Sequence, residues 1–184
     1  MKPLDLFDVR KKLPFEIHKG MATESISFLA ENHYGDVYDT DVFLPSIGKN
    51  LQRDHVWTLS QQQEFIISVL KGIKIANISW IQYRDRTKDG SACTFKIIDG
   101  KQRFTAITKF YNNEFPIEVN DNIYFFKDLA DNAKYEIAGF NFTVDVVYEY
   151  SNRMIADADK IAWFEQINFS GTPQDAQHLE NLKK

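Results

Sequence analysis

Apolar and polar residues alternate most regularly at Phe140, Phe142, Val144, Val146, Tyr148 and Tyr150. A period of two puts all six on one side of an extended chain, so residues 140–150 predict a strand with one buried face. Elsewhere the period lengthens. Phe65, Ile66, Val69 and Leu70 recur at helical spacing, with Ser60-Gln61-Gln62-Gln63 ahead of them as a capping box and Gly72 behind as a stop. That spacing predicts a helix over about 60–71. Phe104, Ile107, Phe110 and Tyr111 predict a second helix from about 102, ended by Asn112-Asn113. Ile155, Ala158, Ile161, Ala162 and Phe164 supply the apolar side of a third over about 153–168, and a short polar helix is expected at about 175–183.

The remaining runs are short and bounded by turn residues. Asn77–Arg84 and Cys93–Ile98 read as strands around a turn at Asp89-Gly90, which makes a hairpin. Phe115–Val119 and Ile123–Phe126 flank a second turn at Asn120-Asp121-Asn122. Val42-Phe43-Leu44 is a brief apolar run that Pro45 ends, and Ser46–Asp54 reads as a loop or an irregular strand. The first forty residues are polar and irregular, with a helix-like stretch around Thr23–Asn32. Hairpins interleaved with helices predict an α+β domain, with a mixed or antiparallel sheet flanked by helices.

At 184 residues and 21.4 kDa the chain fits one domain with a substantial core. No apolar run approaches the roughly 20 residues of a membrane span, and charges and Pro interrupt the first twenty residues as they would not in a signal peptide. A single cysteine, Cys93, excludes an internal disulfide framework and a Cys-rich zinc site, and suits a cytoplasmic location. The histidines at 18, 33, 55 and 178 have no metal-ligand spacing. A net charge of -4 argues against general electrostatic coating of nucleic acid while leaving room for a local basic groove.

Three segments can carry chemistry. Asp99-Gly100-Lys101-Gln102-Arg103 stands between a predicted strand and a predicted helix. Glycine permits a tight turn there, and the helix start favours an anion. Lys101 and Arg103 can neutralise phosphate, Arg103 bidentately, while Asp99 can hold Mg²⁺ or orient a water. The same residues also make an ordinary capped helix start with solvated cations. Gln52-Arg53 offers several donors to phosphate or a base edge, against a plainer role for Arg53 as an ion-pair partner of Asp54, with Trp57 a core anchor. Asn168–Pro173 gathers small donors and Gly171 in one turn, or simply ends a helix. Walker A, GxGxxG and GxSxG patterns are absent.

Taken in order, LPSIGKNLQRDHVW, LSQQQEFIISVLKGIKI, FKIIDGKQRFTAITKFYNNEF and WFEQINFSGTPQ resemble the N-terminal domain of GmrSD-type modification-dependent restriction enzymes, in the ParB/sulfiredoxin-like superfamily. The resemblance covers about residues 42–182, which sets 42–184 as the domain and 1–41 as an N-terminal extension packed on it. It implies a phosphate-side role for Asp99, Gly100, Gln102 and Arg103, and places Gln52 and Arg53 at the same pocket. Asn168, Gly171 and Thr172 match the family's late loop. Lys101 departs from the commoner Gln and adds a positive charge. Larger members continue into an HNH-type nuclease domain, so a separate nuclease subunit is the implied cutting module for a chain of this length.

Three functions follow as expectations. The first is a Mg²⁺-dependent hydrolase of nucleoside triphosphates or phosphodiesters, associated with restriction or phage–host conflict. There Asp99 and Arg103 are catalytic, Asp99 is the metal ligand, and Arg53 and Lys101 are further phosphate contacts. The second is a non-catalytic module that senses nucleotide or DNA and regulates a partner nuclease. The third is a structural protein of a phage or mobile element that merely keeps the fold.

Overall fold

The computed structural model describes residues 15–31, 37–84 and 94–169. Its centre is a five-stranded mixed sheet. In chain order the strands of that sheet and of two small hairpins are β1 His18–Ser25, β2 Val37–Asp39, β3 Phe43–Leu44, β4 Lys49–Asn50, β5 Ile78–Tyr83, β6 Thr94–Asp99, β7 Ile117–Val119, β8 Asn122–Tyr124 and β9 Asn141–Glu149. The sheet runs β1-β9-β5-β6-β2. β9 pairs antiparallel with β1 and parallel with β5, β5 antiparallel with β6, and β6 parallel with β2. The helices are α1 Ile26–Ala30, α2 Leu59–Leu70, α3 Lys101–Tyr111, α4 Asp131–Gly139 and α5 Asp157–Phe169. The fold is α+β, as the patterning predicts.

Helices cover both faces of the sheet, and two apolar clusters result. One joins Ile66 and Val69 of α2 and Ile107 and Phe110 of α3 to Trp80, Ile97, Val144 and Val146. The other joins Trp163 and Phe164 of α5 to Ile81, Ile98 and Val147. This explains a difference from the alternation at 140–150. Phe142, Val144 and Val146 face the first cluster, but Val147 and Glu149 on the opposite face are buried too. Burying Glu149 requires partners. Lys96 Nζ lies 2.5 Å from its Oε2, and the Ile155 amide donates to its Oε1 at 2.9 Å.

Other elements depart from the sequence expectation in instructive ways. Helix α2 begins at Leu59, because Thr58 takes the N-cap. The Gln61 amide donates to Thr58 Oγ1 at 3.3 Å, and Gln61 Oε1 accepts from the Thr58 amide at 2.9 Å. The capping box is therefore two residues earlier than Ser60–Gln63, and Gln63 Nε2 donates instead to the Pro116 carbonyl at 2.9 Å. The third expected helix starts at Asp157 rather than 153, after an isolated bridge between Tyr150 and Arg153. Among the described residues the irregular N-terminal stretch contains the two edge strands, β1 and β2, and the five-residue helix α1. Helix α4 went unmarked by the pattern because Ile137 is its one buried residue. Cys93, the Asp89-Gly90 turn and the expected helix at about 175–183 lie outside the described residues.

Candidate functional site

The site begins where β6 ends. Gly100 is the N-cap of α3 at φ 100°, a left-handed conformation that lets the chain reverse from strand into helix within one residue. No side chain caps this helix and its first turn carries no acid. Its leading amides and the positive end of its dipole therefore remain available to an anion.

Each side chain of the Asp99–Arg103 turn has a defined partner. Arg103 Nη2 donates to Asp99 Oδ2 at 2.9 Å and to the Asn77 carbonyl at 2.8 Å, which pins the guanidinium against the turn. Both side chains of the pair remain about one-fifth exposed. Lys101 is buried and its ammonium is paired with the exposed Asp41. Gln102 reaches backward to the preceding segment. Its Oε1 accepts from the Val56 and Trp57 amides at 3.0 and 3.2 Å, and its Nε2 donates to the Asp54 carbonyl at 3.1 Å.

Gln52 makes the reciprocal tie. It is buried, and its Nε2 donates to the Ile97 carbonyl at 3.2 Å and to the Ile98 carbonyl, just before Asp99. The hairpin of β3 and β4 delivers it there, continued by hydrogen bonds from Leu51 to Val42 and from Gln52 to Asp41. Two segments about fifty residues apart are thus stitched together by the glutamines of both motifs. Arg53 stands between the stitches, since Gln52 is anchored on one side of it and Asp54 on the other. It is exposed and makes no hydrogen bond or ion pair among the described residues, so the pairing with Asp54 does not form.

Asn168 is spent within its own helix, its Nδ2 donating to the Phe164 carbonyl at 2.9 Å, while Gly171 and Thr172 lie outside the described residues. Among the described residues no group of three or more His, Cys, Asp or Glu side chains is arranged to hold a metal ion. A cavity of about 680 Å³ lies on the α5 side of the sheet, lined by Ile17, Lys19, Asp145 and Trp163 among others, and none of the motif residues reaches it. Sequence reasoning missed Asp41 and Asn77, which hold Lys101 and Arg103. Neither carries a local signal, because each partnership is made by the folded chain.

The comparison with known families decides the relationship. The model for the GmrSD restriction endonuclease N-terminal domain matches residues 41–182. The chain belongs to that family. Membership in the GmrSD N-terminal family gives the protein a role associated with restriction. No curated protein matches the chain, and no solved structure matches it. Among the described residues no helix is long and apolar enough to cross a membrane. The glutamines and cations of this GmrSD N-terminal domain therefore occupy one place in the fold, at the end of β6 and the start of α3.

Proposed function

We propose that the domain binds the phosphates of a nucleotide or of DNA at Arg53 and the Asp99–Arg103 turn, and that with Mg²⁺ it hydrolyses a nucleoside triphosphate or a phosphodiester in support of a restriction nuclease. One observation carries this reading. The ties made by Gln52 and Gln102 hold an exposed, unpaired arginine beside an uncapped helix start. A free guanidinium fixed at both neighbouring backbones is a poor packing element and a good phosphate ligand.

Under this reading the roles divide. Arg53 and the leading amides of α3 take the phosphate oxygens. Arg103, already oriented by Asp99 and Asn77, adds its positive charge to the same turn. Asp99 uses only Oδ2 for Arg103 among the described contacts, so one carboxylate oxygen is left for a cation or a water. That donor set fits a Mg²⁺ held mainly by ligand phosphates rather than one in a ready-made cage. When bound, such an ion polarises a phosphoryl oxygen. A nuclease partner would supply the cutting of modified DNA.

A second reading also has an observation behind it. Asp99, Lys101, Gln102 and Arg103 all make internal contacts. A turn so occupied suits a sensor that binds without turnover and acts through its partner.

Arg53→Ala is the sharper test of binding, because no described contact is lost with it. We expect nucleotide or DNA affinity to fall about ten- to a hundredfold, the value of a charge-assisted contact, with an unchanged melting temperature. Asp99→Asn should then abolish Mg²⁺-dependent phosphate release while binding survives. Unaltered binding in Arg53→Ala rejects the phosphate site. Binding by the unaltered protein with no phosphate release selects the sensor.

A further inference from the structure

The basic surface does not end at the turn. Gln102 and Lys109 stand seven residues apart on α3, which puts them on the same helix face two turns from each other. The loop that Gln102 grips at Asp54 and Val56 therefore meets α3 on the face that also carries Lys109. His55 is the residue between those two grips. It is half-buried, and its Nε2 is enclosed with no hydrogen-bond partner among the described residues. Lys109 likewise has no ion-pair partner among the described residues.

We propose that His55 and Lys109, with Arg53, form a second anion subsite beyond the Asp99–Arg103 turn, so that the ligand is a run of phosphates rather than a single one. The inference rests on the phosphate-binding reading above and extends it to the length of the ligand. Lys101 and Lys109 are eight residues apart, about 12 Å along the helix axis. One phosphate cannot lie against both ends of that span. Successive phosphates of a nucleotide tail or of a single strand can.

The electrostatics agree with the geometry. Burial holds the His55 imidazole below its usual range, and the ammonium groups of Lys109 and then Lys101 push it further down. Arg53 and Asp54 flank it on its own loop, and the Lys101 ammonium is paired with Asp41. An anion seated among these cations reverses the repulsion, so the imidazole takes up a proton as the ligand binds.

Tripolyphosphate and a short oligothymidylate are the probes, because they separate a nucleotide tail from a strand backbone. Lys109→Gln should weaken at least one of them about five- to tenfold while orthophosphate affinity stays the same. The more affected probe identifies the source. In the unaltered protein, saturation should raise the His55 titration midpoint by about one unit, followed by NMR and assigned through His55→Gln. If Arg53→Ala weakens the probes but Lys109→Gln does not, and the His55 midpoint stays still at saturation, the second subsite is rejected and the first survives. If neither probe binds the unaltered protein, both fall together.

Discussion

Gly100 shows how narrowly the turn is built. A Cβ added there would lie 3.1 Å from Ile78 Cγ1 and 3.2 Å from Arg103 Nη2, on a backbone at φ 100°. Glycine suits this position by conformation first, and a Cβ would in addition make Ile78 and Arg103 give way by a few tenths of an ångström. Gly100→Ala should cost about 2 kcal/mol from the left-handed backbone alone, read as a lower melting temperature. It should also shift the Arg103 guanidinium slightly against Asp99 and the Asn77 carbonyl. Phosphate affinity is expected to fall with stability, whereas Arg53→Ala lowers affinity by itself. A Gly100→Ala protein that melts and binds as the unaltered one does would remove this turn from the account. Val42 is another residue held in an unusual conformation, at φ 53° with its side chain buried. Asp39 Oδ1 accepts the Val42 amide at 2.8 Å and the Asp41 amide at 3.1 Å, so the bend that presents Asp41 to Lys101 is fixed locally.

Between elements, the start of α5 is fastened to the β3–β4 turn. Asp157 Oδ2 accepts from the Ser46 amide at 3.0 Å and Asp157 Oδ1 from Lys160 Nζ at 3.0 Å. Burial alone would raise the Asp157 carboxyl, but the Ser46 hydrogen bonds and the Lys160 ammonium outweigh it and hold the group below the usual aspartate range. A carboxyl depressed in the folded state stabilises the fold above its unfolded value and loses that contribution as the pH falls through the folded one. Stability should thus decline below about pH 4 in the unaltered protein, and less steeply there in Asp157→Asn. At neutral pH the substitution leaves the buried Lys160 without its carboxylate and should cost about 3 kcal/mol by chemical denaturation. Identical acid limbs in the two proteins would contradict this account.

The elements that were legible in the sequence are those whose signal is local. Phe65, Ile66 and Val69 mark α2, Gly100 marks the strand-to-helix turn, and Asn120-Asp121 marks a tight hairpin, where both residues indeed adopt positive φ. The unmarked elements take their reason from elsewhere in the chain. β1 is a strand because β9 offers it an edge, and α4 is a helix despite presenting a single buried residue. The site divides in the same way. Its motif residues could be read from their order, but Asp41 and Asn77 join it only through contacts across the fold.

Over the whole molecule the charge is -4, so any affinity for phosphate must come from a few cations and not from a general field. That sets the salt dependence. With roughly three phosphate contacts, the logarithm of affinity for single-stranded DNA should fall against the logarithm of salt concentration with a slope near -2. Titrations across a salt series test it, and Lys109→Gln should make the slope shallower by about 0.7. A slope several times steeper would require a basic surface that the described residues do not offer.

The pairing of β1 with β9 carries a consequence for the order in which the protein forms. His18 lies opposite Val146 and Ala22 opposite Val144, so this edge joins residues more than a hundred positions apart. β5 and β6 are neighbours in the chain by comparison, and α3 follows β6 directly. Loop closure costs less for the near pair, and contacts of long sequence separation slow folding. Refolding from denaturant should therefore protect the amides of β5, β6 and α3 against pulsed hydrogen exchange before those of β1. Simultaneous protection of β1 and β5 would show that the distant edge belongs to the nucleus. With the expected order, the turn that carries Asp99 and Arg103 is assembled early, and the far side of the sheet is zipped onto a scaffold already in place.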